Sequence, residues 1–241
     1  MHCARVPEPP LPAAAHAERQ PASAATLHRG RAGGNWLAAA LLLSGWLSAS
    51  GIAAREWHFD VSVDGLPIGT HDIVVEQNGS ARTARGDMRF KVSLLGLTAG
   101  SYEQHEEESW QADCLTRIDT RTVERGAVTT VAGRLEGGSF VIDGPNEKQR
   151  LPECVMSFAY WNPRVFKQAG LVNVQTGAWT PISVHVLGKE AYTVRGASVD
   201  ATHYRIDTAR NRIDVWYSPD NEWIGLRSTS QRGHVLTYRL K

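Results

Sequence analysis

The sequence predicts a mainly β protein: one antiparallel, strongly curved sheet, closed or nearly closed into a barrel, with a single short helix. Three observations carry that expectation. From Trp57 onward, apolar residues alternate with polar ones at a period of two, the period of a strand with one buried face. Hairpin dipeptides, Asp64-Gly65 and Asn78-Gly79 first among them, interrupt the alternation at short intervals. The strand pattern fails in one stretch alone, residues 152–177. Many strands with short connections suit a sheet that curls on itself; a two-sheet β-sandwich is the alternative.

The chain ahead of the strands reads differently. Residues 1–33 are rich in Ala, Pro, His and Arg and lack apolar periodicity, a disorder-prone composition. They are read as a disordered extension or as the product of a misassigned gene start. Residues 34–54 are read as a signal peptide. Arg29 and Arg31 lead, Trp36 to Leu47 form a short apolar core, and Ala49, Gly51, Ala53 and Ala54 supply the small residues a signal peptidase requires. The run is broken by Ser44, Gly45, Ser48 and Ser50, whereas a spanning helix needs roughly 20 mainly apolar residues. No Cys ends it, so a lipid-modified N-terminus is not expected. Export then leaves residues 55–241 as a single β-rich domain in the periplasm, in contact with the membrane only transiently through the signal segment.

Charge narrows the partners. Four of the 26 basic residues (Arg5, Arg19, Arg29, Arg31) and two of the 25 acidic ones (Glu8, Glu18) fall before residue 55, so the domain carries 22 against 23. A balance so close to zero argues against a nucleic-acid partner, which requires clustered Lys and Arg. The oligomeric state is left open.

Trp57, Phe59, Val61 and Val63 alternate with His58, Asp60, Ser62 and Asp64 to form the first strand, which Asp64-Gly65 ends. The second, from Leu66, carries Ile73 and Val75 on one face and closes at Asn78-Gly79. Ala84, Met88, Phe90, Val92 and Leu94 mark a long third strand, followed by Tyr102–Gln111, Leu115–Val123, Val128–Leu135 and Ser139–Ile142. Glu136-Gly137-Gly138 and Asp143-Gly144-Pro145-Asn146 are breakers. Past the interruption, the pattern resumes at Ile182, Val184 and Val186 and runs through Tyr192 and Val194, Tyr204 and Ile206, then Ile213, Val215 and Tyr217. Ile224 and Leu226, then Leu236, Tyr238 and Leu240, complete about ten to twelve strands. Within the interruption, Phe158, Tyr160 and Trp161 crowd ahead of Asn162-Pro163, an N-cap followed by Pro at the first helical position. Arg164 to Ala169 supply a turn or two of helix, and Gly170 stands where a glycine ends one.

With Cys3 in the segment expected to be lost, Cys114 and Cys154 remain as a pair in an oxidising compartment, and a structural disulfide is expected. Closing a loop of about 40 residues stabilises by roughly 4 kcal/mol on the chain-entropy account. It also ties the aromatic segment to the strand that starts at Leu115. No Cys-x-x-Cys pair occurs, and two isolated thiols make no zinc site.

The segment Cys154-Val-Met-Ser-Phe158-Ala-Tyr-Trp-Asn-Pro163, with Leu171-Val-Asn-Val-Gln175-Thr-Gly177 after it, resembles the hallmark of an uncharacterised family of exported proteobacterial proteins, a domain of unknown function. The opening Trp57-His-Phe-Asp-Val-Ser-Val-Asp-Gly-Leu-Pro-Ile-Gly69 and the closing Val215-Trp-Tyr-Ser-Pro-Asp220 and Leu236-Thr-Tyr-Arg-Leu240 are similar to it too, so the resemblance covers the whole domain. The opening and closing strands distantly resemble a second exported β-rich family and, through it, the curved-sheet periplasmic lipoprotein carriers. That likeness implies a fold and carries no function.

Three functions follow as expectations. The first is non-enzymatic binding of a lipid or another small apolar or amphipathic ligand on the concave face. Tyr160, Trp161, Trp179, Trp216 and Trp223 would line the site, and Asn162 and Gln175 would orient the ligand. The same aromatics equally suit a filled barrel interior. The second is an envelope protein-interaction module docking a partner at a sheet edge or at the aromatic segment. The third is a metal-assisted hydrolase using Glu103, His105 and Glu107, which share one face of a strand; a solvated acidic strand has the same pattern. No Gly-x-Ser-x-Gly, His-Glu-x-x-His or phosphate-cradling glycine loop occurs in the domain, so no catalytic residue, cofactor or metal is assigned.

Overall fold

The computed structural model describes residues 53–94 and 97–241; the extension and nearly all of the signal segment lie outside the described residues. Eight strands form a first meander: β1 (Ala53–Val63), β2 (Leu66–Asn78), β3 (Ala81–Leu94), β4 (Leu97–Gln111), β5 (Cys114–Glu124), β6 (Ala127–Glu136), β7 (Ser139–Asp143) and β8 (Lys148–Pro152). A 3₁₀ turn (Pro163–Lys167) and a small antiparallel pair, β9 (Gly170–Val172) and β10 (Trp179–Pro181), follow. The second meander is β11 (Ser183–Val194), β12 (Ala197–Asp207), β13 (Asn211–Tyr217), β14 (Trp223–Ser230) and β15 (Val235–Leu240). The strands that exceed the expected number are β8, β9 and β10, each too short to leave a legible period.

The two meanders fuse where β1 pairs antiparallel with β15, placing Phe59 opposite Leu240 and Val61 opposite Tyr238. The result is a 13-stranded antiparallel sheet whose edges are β11 and β8. Register shifts at Val61/Ser62, Ser109/Trp110, Val186/Gly188 and Trp216/Tyr217 mark bulges, which bend strands and increase their twist. The core is made by the inner face: Trp57, Phe59, Leu115, Ile118, Phe140, Ile142, Val215 and Trp223 are all at most 2% exposed.

The expectation of a closed or nearly closed barrel is corrected to an open sheet, because among the described residues β8 and β11 do not pair. The aromatic segment takes over part of the work of closure. At one end it is bound to β5 by the Cys114–Cys154 disulfide and by the Leu115 amide donating to the Val155 carbonyl at 2.9 Å. On the other limb, Phe166 stacks on Tyr204 of β12 at 4.1 Å between centroids, and the Tyr217 hydroxyl donates to the Tyr160 carbonyl. Apolar inner faces that strand pairing leaves apart are thus buried against one irregular segment.

Two local expectations shift. The turn after β2 is Gly79-Ser80, since Asn78 still pairs with Ala81; Gly79 takes φ 60°, the glycine-first form that suits the twist of a tight hairpin. Gly170 does not stop the helix. The 3₁₀ turn ends at Gln168 in extended conformation, and Gly170 opens β9 beneath the Trp179 ring.

Candidate functional site

The site grows from the parity of β4. Its sequence, Tyr102-Glu-Gln-His105-Glu-Glu-Glu108-Ser-Trp110, is polar at almost every position, and pairing turns Tyr102, Gln104, Glu106, Glu108 and Trp110 inward. Glu103, His105 and Glu107 do share a face, as expected, and it is the solvent face; His105 is occupied there by Asp87 at 3.1 Å. Among the described residues no three His, Cys, Asp or Glu converge as a metal ligand set. The inward row crosses the sheet from Ile73 to Gly86 to Glu106 to Thr120. Gly86 is needed there, because a Cβ on it would stand 2.8 Å from both Cγ and Oε1 of Glu106. The missing side chain is the space in which the Glu106 carboxyl lies.

A cavity of about 520 Å³ opens against this face, within the range of small-molecule sites. Its aromatic wall is built from Phe158, Tyr160 and Trp161 of the bridging segment with Trp223 and Tyr238 of the sheet. Trp223 lies 4.3 Å from Phe59 and 5.3 Å from Tyr160 between ring centroids; its indole N–H donates to the Gly225 carbonyl at 3.0 Å. Ile73, Met88, Leu226 and Leu236 add aliphatic surface. The polar members include His71, Glu106, Glu108 and Ser157, and the exposed Asn146, Gln175, Arg210 and Asn211 frame the mouth.

These polar groups are incompletely partnered. A chain of donors leads inward, Gln175 to Tyr102 at 2.7 Å, Tyr102 to Gln104 at 2.5 Å and Gln104 to Glu106 at 2.9 Å. Glu108, 2% exposed, accepts from the Trp110 indole at 3.1 Å through Oε2; the Ser157 hydroxyl lies close enough to favour its ionised form, but no donor is in hydrogen-bonding geometry with Oε1. His71, 5% exposed, lies edge-on to Tyr238 and has no partner on either ring nitrogen. Buried polar groups are nearly always paired, so orphans along a cavity wall mark a place where something else supplies the bond.

Burial pushes both carboxyls up, Glu106 despite the Gln104 amide and Glu108 further because Glu106 lies beside it. Burial pushes His71 down to about 4, against the pull of Asp72 and Asp87. The sign for stability follows. Raised carboxyls stabilise the fold fully below their ordinary value of 4.5, and that contribution is lost as pH rises through their elevated values. The depressed His71 acts oppositely, its contribution present above 6.5 and lost as pH falls toward 4. The unliganded protein is therefore expected to lose thermal stability as pH rises from about 5 to about 8, most steeply above 6.5 where the opposing His71 contribution is complete, and E108Q to flatten that slope. A wild-type melting temperature that rises over the same interval would contradict this.

Of the residues singled out from sequence, Tyr160, Trp161, Gln175, Trp179 and Trp223 line the cavity. Two do not. Trp216 faces the opposite side of the sheet, stacked between Tyr192 and His203 at 4.9 and 4.6 Å, its N–H donating to Glu190 at 2.5 Å. The alternation of Ile213, Val215 and Tyr217 already assigns it there. Asn162 is buried as a cap: Oδ1 accepts from the Arg164 amide at 3.1 Å, and Nδ2 donates to Asp113 at 3.2 Å. Asp113 also binds Arg82 at 3.0 Å, so Asn162 ties the segment to the end of β4, away from the cavity lining. N162A is expected to cost about 1 kcal/mol in urea unfolding, the value of a lost cap, with ligand content unchanged; a loss of bound ligand at intact stability would contradict the structural role.

Sequence reasoning missed His71, Glu106, Glu108 and Tyr238. A usable signal was present in β4, where the only aromatics, Tyr102 and Trp110, share the parity of Glu106 and Glu108.

The fold and cavity define a β-barrel-like protein with an open curved sheet. The chain belongs to the family described as a domain of unknown function, DUF6134, whose model matches residues 59–241. Its fold is similar to that of a β-barrel-like protein of domain of unknown function DUF1849 from Brucella abortus. The TM-score is 0.57 at 12% sequence identity, over 79% of this chain and 96% of that one. No curated protein matches the chain.

Proposed function

We propose that the protein is exported to the periplasm and there binds an apolar or amphipathic small molecule in the cavity without chemically altering it. The observation that carries this reading is an aromatic-walled space of about 520 Å³ along which both ring nitrogens of His71 and Oε1 of Glu108 are buried without partners. A filled barrel interior has neither feature. The export half rests on the charged, apolar, small-residue order from Arg29 to Ala54 and agrees with a disulfide, which persists in oxidising compartments. The aromatic and aliphatic lining makes a lipid the first ligand class to seek. The docking and hydrolase alternatives have no observation of their own, the second because Glu103, His105 and Glu107 point to solvent.

Native mass spectrometry of protein purified from the periplasm tests both halves. The expected spectrum has the mass of a chain lacking its signal segment plus a small adduct that organic extraction removes. A bare polypeptide that also fails to take up an apolar fluorescent dye would overturn the binding reading, and an intact N-terminus resistant to carbonate extraction would overturn export.

A further inference from the structure

We infer that the cavity is built for a cationic amphiphile, a molecule with an apolar body and an amine or ammonium head, with the head seated against Glu106 and Glu108. The inference rests on the cavity reading above and narrows it to a class of ligand. Its basis is an imbalance of charge and of bonding along one cavity. Two carboxyls line the inner wall two residues apart on β4, and Arg210, out at the mouth, is the only Lys or Arg among the described residues lining the cavity. Glu108 Oε1 is buried and unpartnered, and so are both ring nitrogens of His71. Once the carboxyl is ionised, each of these atoms except the protonated ring nitrogen of a neutral imidazole is an acceptor. An ammonium head brings up to three donors and a positive charge, the two things this wall lacks. A carboxylate head brings the opposite of both.

The aromatic wall favours the same head. Trp223, Tyr160 and Tyr238 present ring surface to the same cavity, Tyr238 within electrostatic reach of Glu106, and aromatic faces attract cations most strongly where water is excluded. Gly86 belongs to the same construction, because it lets the Glu106 carboxyl lie across β3. Buried carboxyls without a cation pair by taking up protons, which agrees with the upward displacement of both groups; a bound ammonium replaces a proton. The other groups that face the pair are His71 from β2, Tyr102 from β4 and Tyr238 from β15, together with Tyr160 of the bridging segment. Asp87 and His105 act from the outer face, and β5 presents Ile118, Thr120 and Thr122 opposite the pair with the carboxylate Glu124 further along at Tyr102. None of these supplies a fixed cation.

The test is calorimetric titration of the extracted, otherwise intact protein with three probes of equal chain length: decylamine, decanol and decanoate. An alkylamine stays protonated up to about pH 10, so exchange of one carboxyl proton for one ammonium strengthens its binding by up to about tenfold per pH unit between about pH 5 and pH 8. Decanol is expected to hold steady or weaken over that range, and decanoate to weaken. E108Q and, separately, E106Q are expected to reduce both the preference for decylamine and its pH slope while decanol still binds. If either variant fails to fold, the wild-type pH slopes of the three probes decide alone. Decylamine affinity that is flat or falls with pH, or decanol or decanoate binding as tightly at about pH 8, overturns the cationic assignment and leaves the cavity reading standing. Failure of all three probes to bind overturns the cavity reading and this inference with it.

Discussion

Trp223→Ala is expected to destabilise the protein by about 3–5 kcal/mol, the range for removing a fully buried large aromatic. Trp223 is 2% exposed and holds together three parts of the structure. Its ring lies against Phe59 of β1, Tyr238 of β15 and Tyr160 of the bridging segment, at 4.3, 6.3 and 5.3 Å between centroids. Because it also forms cavity wall, the space it vacates joins an existing void, and collapse around the deletion is hindered on that side. Urea unfolding checks the claim: the midpoint should fall with the m-value preserved, and the melting temperature should drop on the order of 10 °C. A loss below about 1 kcal/mol, outside the range for core truncations, would mean that the ring merely covers the mouth.

Replacing Cys114 and Cys154 together by Ser is expected to cost about 4 kcal/mol, since the bond closes a loop of 40 residues in the unfolded chain. The effect reaches beyond chain entropy. Cys154 begins the segment that stands between the two sheet edges, and the Leu115 amide bond to Val155 follows directly upon the disulfide. Without the bond, the segment is retained by the Asn162–Asp113–Arg82 cluster and by the stacking of Phe166 on Tyr204. Dithiothreitol should lower the wild-type urea midpoint by a similar amount and leave the double variant unaffected. Labelling of both thiols in denatured, unreduced periplasmic protein would show the bond is not made in the cell.

Legibility in sequence followed local contrast between the faces of a strand. In β1, Trp57, Phe59 and Val61 alternate with His58, Asp60 and Ser62, and the buried and exposed positions follow that alternation. Asn162-Pro163 likewise encodes its turn locally, and the Asn162 side chain caps the Arg164 amide as the pattern requires. β4 offered no such contrast. With Glu at 103, 106, 107 and 108, hydropathy does not distinguish the faces, so attention fell on Glu103, His105 and Glu107 when the inward-facing set is Gln104, Glu106 and Glu108. The strand β8, at Lys148–Pro152, is polar and marginal by itself, and is a strand because β7 offers it a partner.

By itself, then, the sequence determined the antiparallel strand architecture, the position of the one irregular segment, the pair of cysteines and the aromatic character of the interior. Each of these depends on residue type at short spacing. Only the tertiary structure decided that the sheet stays open, that β1 and β15 join the two meanders, and that Trp216 and Asn162 are structural. It also decided that His71, Glu106 and Glu108 meet at a cavity. Those outcomes depend on which strands far apart in sequence become neighbours and which side of a polar strand turns inward, and local periodicity contains neither. The physical reason is that a carboxyl can be buried when neighbouring strands leave room for it, as Gly86 does for Glu106, and that room belongs to the assembled sheet.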